Sequence, residues 1–369
     1  FKSEKLPFEF ISNGVFGFIA HEAVERFDKI KLDRNKAGID MPDMYYAVYE
    51  NIIAISLFNH EAYLFSNTYD SDHNLDEIEN LLNSQISAPF KFEKIGEKSS
   101  NLTDSEFIGF VKKGKEHCYR GDVFQLVLSR QFSQQFKGDE FNVYRTLRSI
   151  NPSPYLFFFD YGYFKIFGSS PEAQLIVDNG KAEIHPIAGT FRRTGNDLKD
   201  TQAAKELAKD PKENCEHVML VDLARNDLSR NGSSVLVEKN REIQFFSHVI
   251  HLVSKVTCTM KDSAKTFRVV ADTFPAGTLS GAPKHKALQL IDKYEKTQRN
   301  FYGGAIGYMD FYGNFNHAII IRSFLSMNNR LHYQAGAGIV AASEPENELQ
   351  EVYNKLGALD KALLQAEKI

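Results

Sequence analysis

Cysteine is scarce in this chain: Cys118, Cys215 and Cys258 are the only three in 369 residues. Their odd number and the lack of any CxxC spacing exclude a disulfide framework and a cysteine-ligated zinc site. None lies in a Gly-x-Cys-x-Gly turn that would display a nucleophile. Long hydrophobic runs are missing too. Tyr155-Leu-Phe-Phe-Phe and Ala318-Ile-Ile-Ile fall far short of the roughly 20 residues that cross a bilayer, and the N-terminus lacks the basic, apolar, small-residue order of a signal peptide. Neither charge is in excess: 44 Lys and Arg against 48 Asp and Glu give a net charge of −4, which favours neither nucleic acid nor a membrane surface. No low-complexity linker or internal repeat interrupts the chain. A reducing cytoplasm is the expected compartment. Because the first residue is Phe1 rather than Met, a preceding segment is expected to be missing.

What remains is an ordinary globular composition, 43% hydrophobic and 25% charged, in a chain long enough for a large core. Strands are predicted at Val48–Leu57, Glu61–Ser66, from Val123 to Phe132, Tyr155–Asp160, Tyr163–Phe167, Gln174–Val177, Lys181–Ile184, Phe301–Phe311, Phe315–Leu325 and Leu331–Ala337, several joined by tight turns that imply antiparallel pairing. Helices are predicted near Ala20–Asp28 and from Asp104 to Arg120, and residues 79–100 read as polar loop. Helices in blocks rather than in alternation with strands make the class α+β, with antiparallel sheets and helices on their outer faces.

Two further helices each carry Glu-x-x-Glu. The first starts at Asp210-Pro211, with Asp as N-cap and Pro at the first helical position, and places Glu213 and Glu216 on one face. The second opens on Ser343 and Glu346, the pattern of a capping box. Glu348, Glu351 and Lys355 line the edge of its apolar stripe. Four carboxylates on two helices suit one Mg²⁺ with room for an anionic substrate; taken singly, each pair is also what any solvated helix face carries. Residues 185–195, HPIAGTFRRTG, read as a loop leaving a hairpin. Gly189 permits close approach of backbone, and Thr190, Arg192 and Arg193 suit an anion, yet the loop centre, Ala188, carries only a methyl group. Gly336-Ala-Gly338 ends a strand and offers backbone N–H groups to a carboxylate, or simply makes a bend. Arg322, inside an apolar strand, needs a partner, either a substrate carboxylate or a structural carboxylate. His251 reads as a core histidine or a catalyst, and Glu172 as a turn cap or an acid. Gly277-Thr-Leu-Ser-Gly-Ala-Pro-Lys284 fails the phosphate-loop pattern.

Together and in order, Gly121-Asp-Val-Phe-Gln-Leu-Val-Leu-Ser-Arg, Gly168-Ser-Ser-Pro-Glu, His185-Pro-Ile-Ala-Gly-Thr, Glu216-His-Val-Met-Leu-Val-Asp-Leu-Ala-Arg-Asn-Asp, His251-Leu-Val-Ser, Gly277-Thr-Leu-Ser-Gly-Ala-Pro-Lys and Gly336-Ala-Gly resemble the chorismate-utilising enzymes, and within them most closely the anthranilate synthase component I group. The resemblance spans residues 105–365 strongly and Gly14–Phe27 loosely. It implies a two-layered antiparallel β-sandwich with outer helices, residues 1–100 forming the N-terminal part of the sandwich and 101–369 the chorismate-binding catalytic region. It implies Mg²⁺ held directly by Glu216 and Glu351 and through water by Glu213 and Glu348. Tyr302 and Arg322 would grip the enolpyruvyl carboxylate, and Gly338 and Lys355 the ring carboxylate, with Thr278 lining the pocket. Glu172 would protonate the departing C4 hydroxyl, and His251 would face the ring.

Members of the resembled family differ in what attacks chorismate. A Lys at the position of Gln125 activates water in isochorismate and salicylate synthases, and a Lys at the position of Ala188 supplies an amine in many aminodeoxychorismate synthases. Gln125 and Ala188 provide neither group, which leads to the expectation that free ammonia attacks C2 and that anthranilate and pyruvate form. The alternative is amination at C4 by an aminodeoxychorismate synthase component I. The resemblance further implies a separate glutamine amidotransferase subunit as the ammonia source, and hence a hetero-oligomer. Asn151-Pro-Ser-Pro-Tyr155 resembles part of a tryptophan feedback site, whose other part, a Leu-Leu-Glu-Ser motif, is absent, and Leu156 stands where a Met is usual.

Overall fold

The computed structural model describes residues 10–68, 73–84, 90–245, 249–260 and 266–369, with only the backbone of Thr190, Arg192 and Lys212. Two antiparallel sheets dominate. The larger runs, in spatial order, Ile187–Arg192, Val249–Met260, Lys181–Ile184, Ala173–Asp178, Phe315–Ile319, Ala305–Asp310, Gly14–Ile19 and Met44–Val48, with Gly232–Phe245 also paired to Val249–Met260. The smaller runs Gly281–Ala282, Gln125–Gly138, Arg330–Ile339, Ser323–Met327, Phe164–Ser170 and Tyr155–Asp160, with Phe92–Ser100 also paired to Gln125–Gly138. Leu126, Leu128, Phe167 and Phe324 from the smaller sheet and Leu175, Val177, Val256 and Phe315 from the larger belong to one buried cluster, so the core lies between the layers. Helices Asp104–Tyr119, Phe141–Ile150 and Pro345–Ala366 pack on the smaller sheet, and Asp197–Lys209, Pro211–Ser229 and Thr266–Thr273 on the larger. The α+β sandwich expected from the sequence is the architecture observed. Strands from the first hundred residues join both sheets: Gly14–Ile19 pairs with Ala305–Asp310, and Phe92–Ser100 with Gln125–Gly138.

The chain changes sheets at two places that set up the site. Phe164–Ser170 belongs to the smaller sheet and Ala173–Asp178 to the larger, so Pro171-Glu172 is one crossing. Phe315–Ile319 belongs to the larger sheet and Ser323–Met327 to the smaller, so Ile320-Ile321-Arg322 is the other. The continuous strand expected at Phe315–Leu325 is therefore broken, and Arg322 adopts φ +49° at the break. The crossings run side by side: Ile319 N donates to Glu172 O at 3.0 Å and Ser169 N to Arg322 O at 3.1 Å.

Other local expectations are corrected. The 185–195 segment is not a loop; Ile187–Arg192 is a strand on Val249–Met260. Residues 79–100 contain the end of helix Leu75–Asn83 and the strand Phe92–Ser100, whose largely exposed side chains hid its strand character. Val48–Leu57 is interrupted, Met44–Val48 and Asn51–Ser56 joining different sheets. The helix expected near Ala20–Asp28 is present, as a 3₁₀ helix over His21–Arg26. No capping box forms at Ser343: the helix starts at Pro345 with Glu344 as N-cap, because Pro takes the first helical position while Ser343 Oγ accepts from Val340 N at 3.0 Å. Gly336 and Gly338 lie in the final residues of the strand Arg330–Ile339, as expected, and are paired there opposite Ser129 and Val127.

Candidate active site

The two crossings bring an acid and a cation together. Glu172 accepts a hydrogen bond from Thr278 Oγ1 at 3.1 Å, Thr278 being carried on the short helix Gly277–Ser280. Burial pushes the Glu172 carboxyl up to about 7, against the opposing pull of the Thr278 hydrogen bond and of the Lys355 and Arg322 charges. It can therefore hold a proton near neutral pH, which a solvated turn cap could not. Burial also lowers the pKa of Arg322, while the Glu172 charge favours its cationic form. Among the described residues neither a hydrogen bond nor an ion pair engages the Arg322 guanidinium. Of the two partners open to Arg322 in the sequence, the structural carboxylate is thus not supplied.

A glycine face lies beside these groups. A Cβ added at Gly338 would stand 2.7 Å from Gln125 Nε2, and one at Gly336 would stand 3.2 Å from Tyr302 Oη. A side chain at either position would press on these polar groups, and at Gly336 it would also meet the backbone oxygen of Leu128, 2.7 Å from the added Cβ. Gln125, 3% exposed, donates from Nε2 to Glu216 Oε1 at 2.9 Å. Lys355 pairs with Glu351 at 2.6 Å and also donates to Gly336 O at 2.8 Å, so it is more than an i,i+4 surface pair. Each Glu-x-x-Glu helix thus reaches the same strand segment, one through Gln125 and the other through Lys355. Four carboxylates are the hard oxygen donors that Mg²⁺ takes, and that donor chemistry fits the ion. Among the described residues, however, no three His, Cys, Asp or Glu side chains are gathered as a metal site; Glu216 and Glu351 contact Gln125 and Lys355.

His251 sits opposite a bulge. Ala188 pairs with Leu252 and Phe191 with Ile250, so Gly189 and Thr190 together oppose His251. Gly189 O accepts from His251 Nδ1 at 2.7 Å, which puts the ring proton on Nδ1 and the lone pair on Nε2. Burial and the Arg322 charge lower the His251 pKa against the pull of that hydrogen bond. Gly189 needs to be glycine: its φ is +66°, and a Cβ would stand 2.5 Å from Leu207 Cδ1 and 3.2 Å from Glu213 Oε2. The Asp210 cap is present, Glu213 N donating to Asp210 Oδ1 at 3.1 Å. Ala188 is 7% exposed. The side chains of Thr190 and Arg192 lie outside the described residues. Arg193 is engaged with Asp200 at 3.0 Å.

Supporting groups went unrecognised in the sequence. Arg299, 1% exposed, binds Glu295 through Nε at 2.8 Å and Nη2 at 2.6 Å, and donates to Leu279 O at 2.7 Å and Val127 O at 2.9 Å. Glu295 in turn accepts from Ser129 N at 2.8 Å. One buried ion pair thus ties together the residue after Thr278 and the strand positions facing Gly336 and Gly338. His217 Nε2 meets Ser254 Oγ at 2.6 Å, joining the Glu213–Glu216 helix to the His251 strand. The i,i+4 spacing of Glu295 and Arg299 was visible in the sequence, but nothing there marks the pair as buried.

An antiparallel α+β sandwich with titratable side chains gathered where the chain changes sheets is the framework of an enzyme. Residues 2–361 match the family described as chorismate binding enzyme, and this chain belongs to that family. Anthranilate synthase component 1 of Aquifex aeolicus (strain VF5) is 38% identical over 375 residues, covering 96% of this chain and 75% of the relative. The protein of the same name from Acetivibrio thermocellus is 44% identical over 273 residues, covering 73% of this chain and 55% of the relative. The chain thus spans three quarters of the length of one relative and little over half of the other. The crystal structure of anthranilate synthase component I from Streptococcus pneumoniae TIGR4 superposes with a TM-score of 0.84 at 33% identity, covering 97% of this chain and 82% of that one.

Proposed function

We propose that this chain converts chorismate and ammonia to anthranilate, pyruvate and water, with Mg²⁺ bound and ammonia delivered by a glutamine amidotransferase subunit. The observation that carries the reading is Arg322, a cation held between the sheets with neither hydrogen bond nor ion pair among the described residues. It faces the charge of an acid that keeps its proton to about pH 7. An anionic substrate with a leaving hydroxyl meets both requirements. Arg322 and Tyr302 hold the enolpyruvyl carboxylate, and Lys355 with the Gly336–Gly338 backbone the ring carboxylate. Glu213, Glu216, Glu348 and Glu351 would hold Mg²⁺, which supplies positive charge to the ring carboxylate. Glu172 gives its proton to the C4 hydroxyl, which leaves as water while ammonia bonds to C2. His251, with its lone pair on Nε2, stands on the strand that flanks the bulge and serves the later loss of pyruvate. Gln125 is no base at neutral pH and Ala188 carries no amine, so the protein itself offers no competing nucleophile at either position.

Replacing Arg322 tests the reading. Arg322→Ala should raise the chorismate KM by about 100-fold or more, the weight of a charge-assisted bidentate contact, while leaving the fold intact because no protein partner is lost. An unchanged KM in the folded variant overturns the assignment of Arg322 to substrate. Co-elution with a matching amidotransferase and glutamine-dependent turnover are expected of the full assembly; their absence counts against the partner.

A further inference from the structure

The helix Pro211–Ser229 carries Glu216 at one end of a stripe and Asp227 at the other. Glu216, Leu220, Leu223 and Asp227 follow one another at steps of four, three and four residues, so at about 3.6 residues per turn they share one face. Glu216 and Asp227 stand about three turns, or roughly 16 Å, apart along it. Glu216 meets Gln125. Leu223 meets the short helix Gly277–Ser280, where Gly277 leaves no room for a Cβ beside Leu223 Cδ2. Asp227, 6% exposed, pairs with Lys284 Nζ at 2.8 Å. Lys284 also donates to Thr273 O at 2.9 Å, so it draws the two ends of residues 273–284 together. That segment carries Thr278, and its Ala282 is the strand partner of Gln125. The contacts form a ring: Glu216, Gln125, Ala282, Lys284, Asp227, and back along one helix face to Glu216. Two motifs of the sequence, Glu216 to Asp227 and Gly277 to Lys284, thus begin beside the proposed chemistry and end on each other.

We propose that Asp227 and Lys284 are a positioning pair, which fixes the rotation of the Glu216 helix and the seating of Thr278 on Glu172 from the far end of this ring. The inference rests on the reading of Glu216 as an Mg²⁺ ligand and of Glu172 as the acid. A helix held only near Glu216 is free to turn about its axis. A turn of about 10° moves a group roughly 5–6 Å from the axis by about 1 Å, and a misplacement of that size costs up to about 100-fold in rate. The pair suits this task because both side chains are largely buried, at 13% and 8% exposed, so water does not loosen it as it does a surface pair. Arg230 and Asp272 also face Asp227, but Arg230 is exposed and lies 3.7 Å from Asp272, so it does not stand in for Lys284. Arg299 restrains the same segment at Leu279 O; its other side-chain hydrogen bonds go to Glu295 and Val127, so it does not tie the segment to the Glu216 helix.

The test separates positioning from stability. Asp227→Leu combined with Lys284→Met removes both charges at once, which for a buried pair often leaves stability near the wild type. Asp227→Asn keeps the shape and the Lys284 contact with Thr273 but removes one charge. Both are made in the full chain. Calorimetric titration without substrate should show Mg²⁺ bound about 10-fold more weakly in each. With chorismate, saturating Mg²⁺ and ammonium, kcat should fall by about 10- to 100-fold. The falling limb of kcat against pH should move to higher pH, because Glu172 loses a Thr278 hydrogen bond that favours its ionised form, while Lys355 and Arg322 still face it. Folded variants in which either the Mg²⁺ affinity or the pH limb stays at the wild-type value overturn the proposal, whatever their melting temperature. A wild-type chain that takes up no Mg²⁺, or gives no aromatic amine, overturns the underlying reading instead, and is seen before any variant is made. Asp227→Asn carries the test if the double variant fails to fold.

Discussion

Replacing Glu172 with Gln separates two consequences of its burial. Raising a carboxyl from 4.5 to about 7 is worth about 3 kcal/mol between its protonated and ionised forms, at about 1.4 kcal/mol per pH unit. The folded chain holds this proton more tightly than the unfolded chain, so between pH 4.5 and 7 the native state binds more protons. Stability then falls as pH rises through that window: the contribution is intact below about pH 4.5, and about 3 kcal/mol is lost above about pH 7. Glu172→Gln keeps the shape and the contact with Thr278 but cannot ionise, so it lacks this slope. Urea unfolding of both proteins without substrate, in steps from pH 4.5 to 8.5, should show the variant gaining about 3 kcal/mol on the wild type as pH rises. Parallel profiles would refute the burial argument. In catalysis the wild-type rate should decline as pH passes about 7, and the variant should lose about 10²- to 10⁴-fold in kcat, the usual weight of a positioned acid.

Gly189→Ala should destabilise the fold by about 1–3 kcal/mol, because its φ is +66° and the new Cβ would press on Leu207; calorimetry reads the loss, and an unchanged melting temperature contradicts it. Arg299→Met leaves Glu295 buried without its cation and should cost about 3–5 kcal/mol, with kcat falling in the folded fraction because Val127 and Leu279 lose their tether. Gln125→Lys places an ammonium against Glu216; the Mg²⁺ concentration needed for half-maximal rate should rise, and chromatography should show hydroxylated product at the expense of aminated. An unchanged product mixture would remove Gln125 from the choice of nucleophile.

Local chemistry was the most legible part of the sequence. The helix expected from Asp104 to Arg120 runs Asp104–Tyr119, and the strong β formers after Gly121-Asp122 build a strand that starts within the expected Val123–Phe132 and runs on to Gly138. Sheet changes were not legible. Ile320 and Ile321 continue an apolar run with no turn residue, because this crossing is buried between layers and needs apolar side chains as a strand does. Phe92–Ser100 was missed for the opposite reason: most of its side chains are exposed, so it shows no inside-outside alternation. In the site, residue types nominated Glu172 and Arg322, but their proximity depends on both crossings, which sequence spacing cannot show.

The most direct test of the account is the product of the unpartnered chain. Purified protein with chorismate, Mg²⁺ and an ammonium salt at mildly alkaline pH should yield anthranilate, identified by chromatography and fluorescence, in equimolar amount with pyruvate. Formation of 4-amino-4-deoxychorismate without pyruvate would contradict the claim that Ala188 and Gln125 leave C2 to free ammonia.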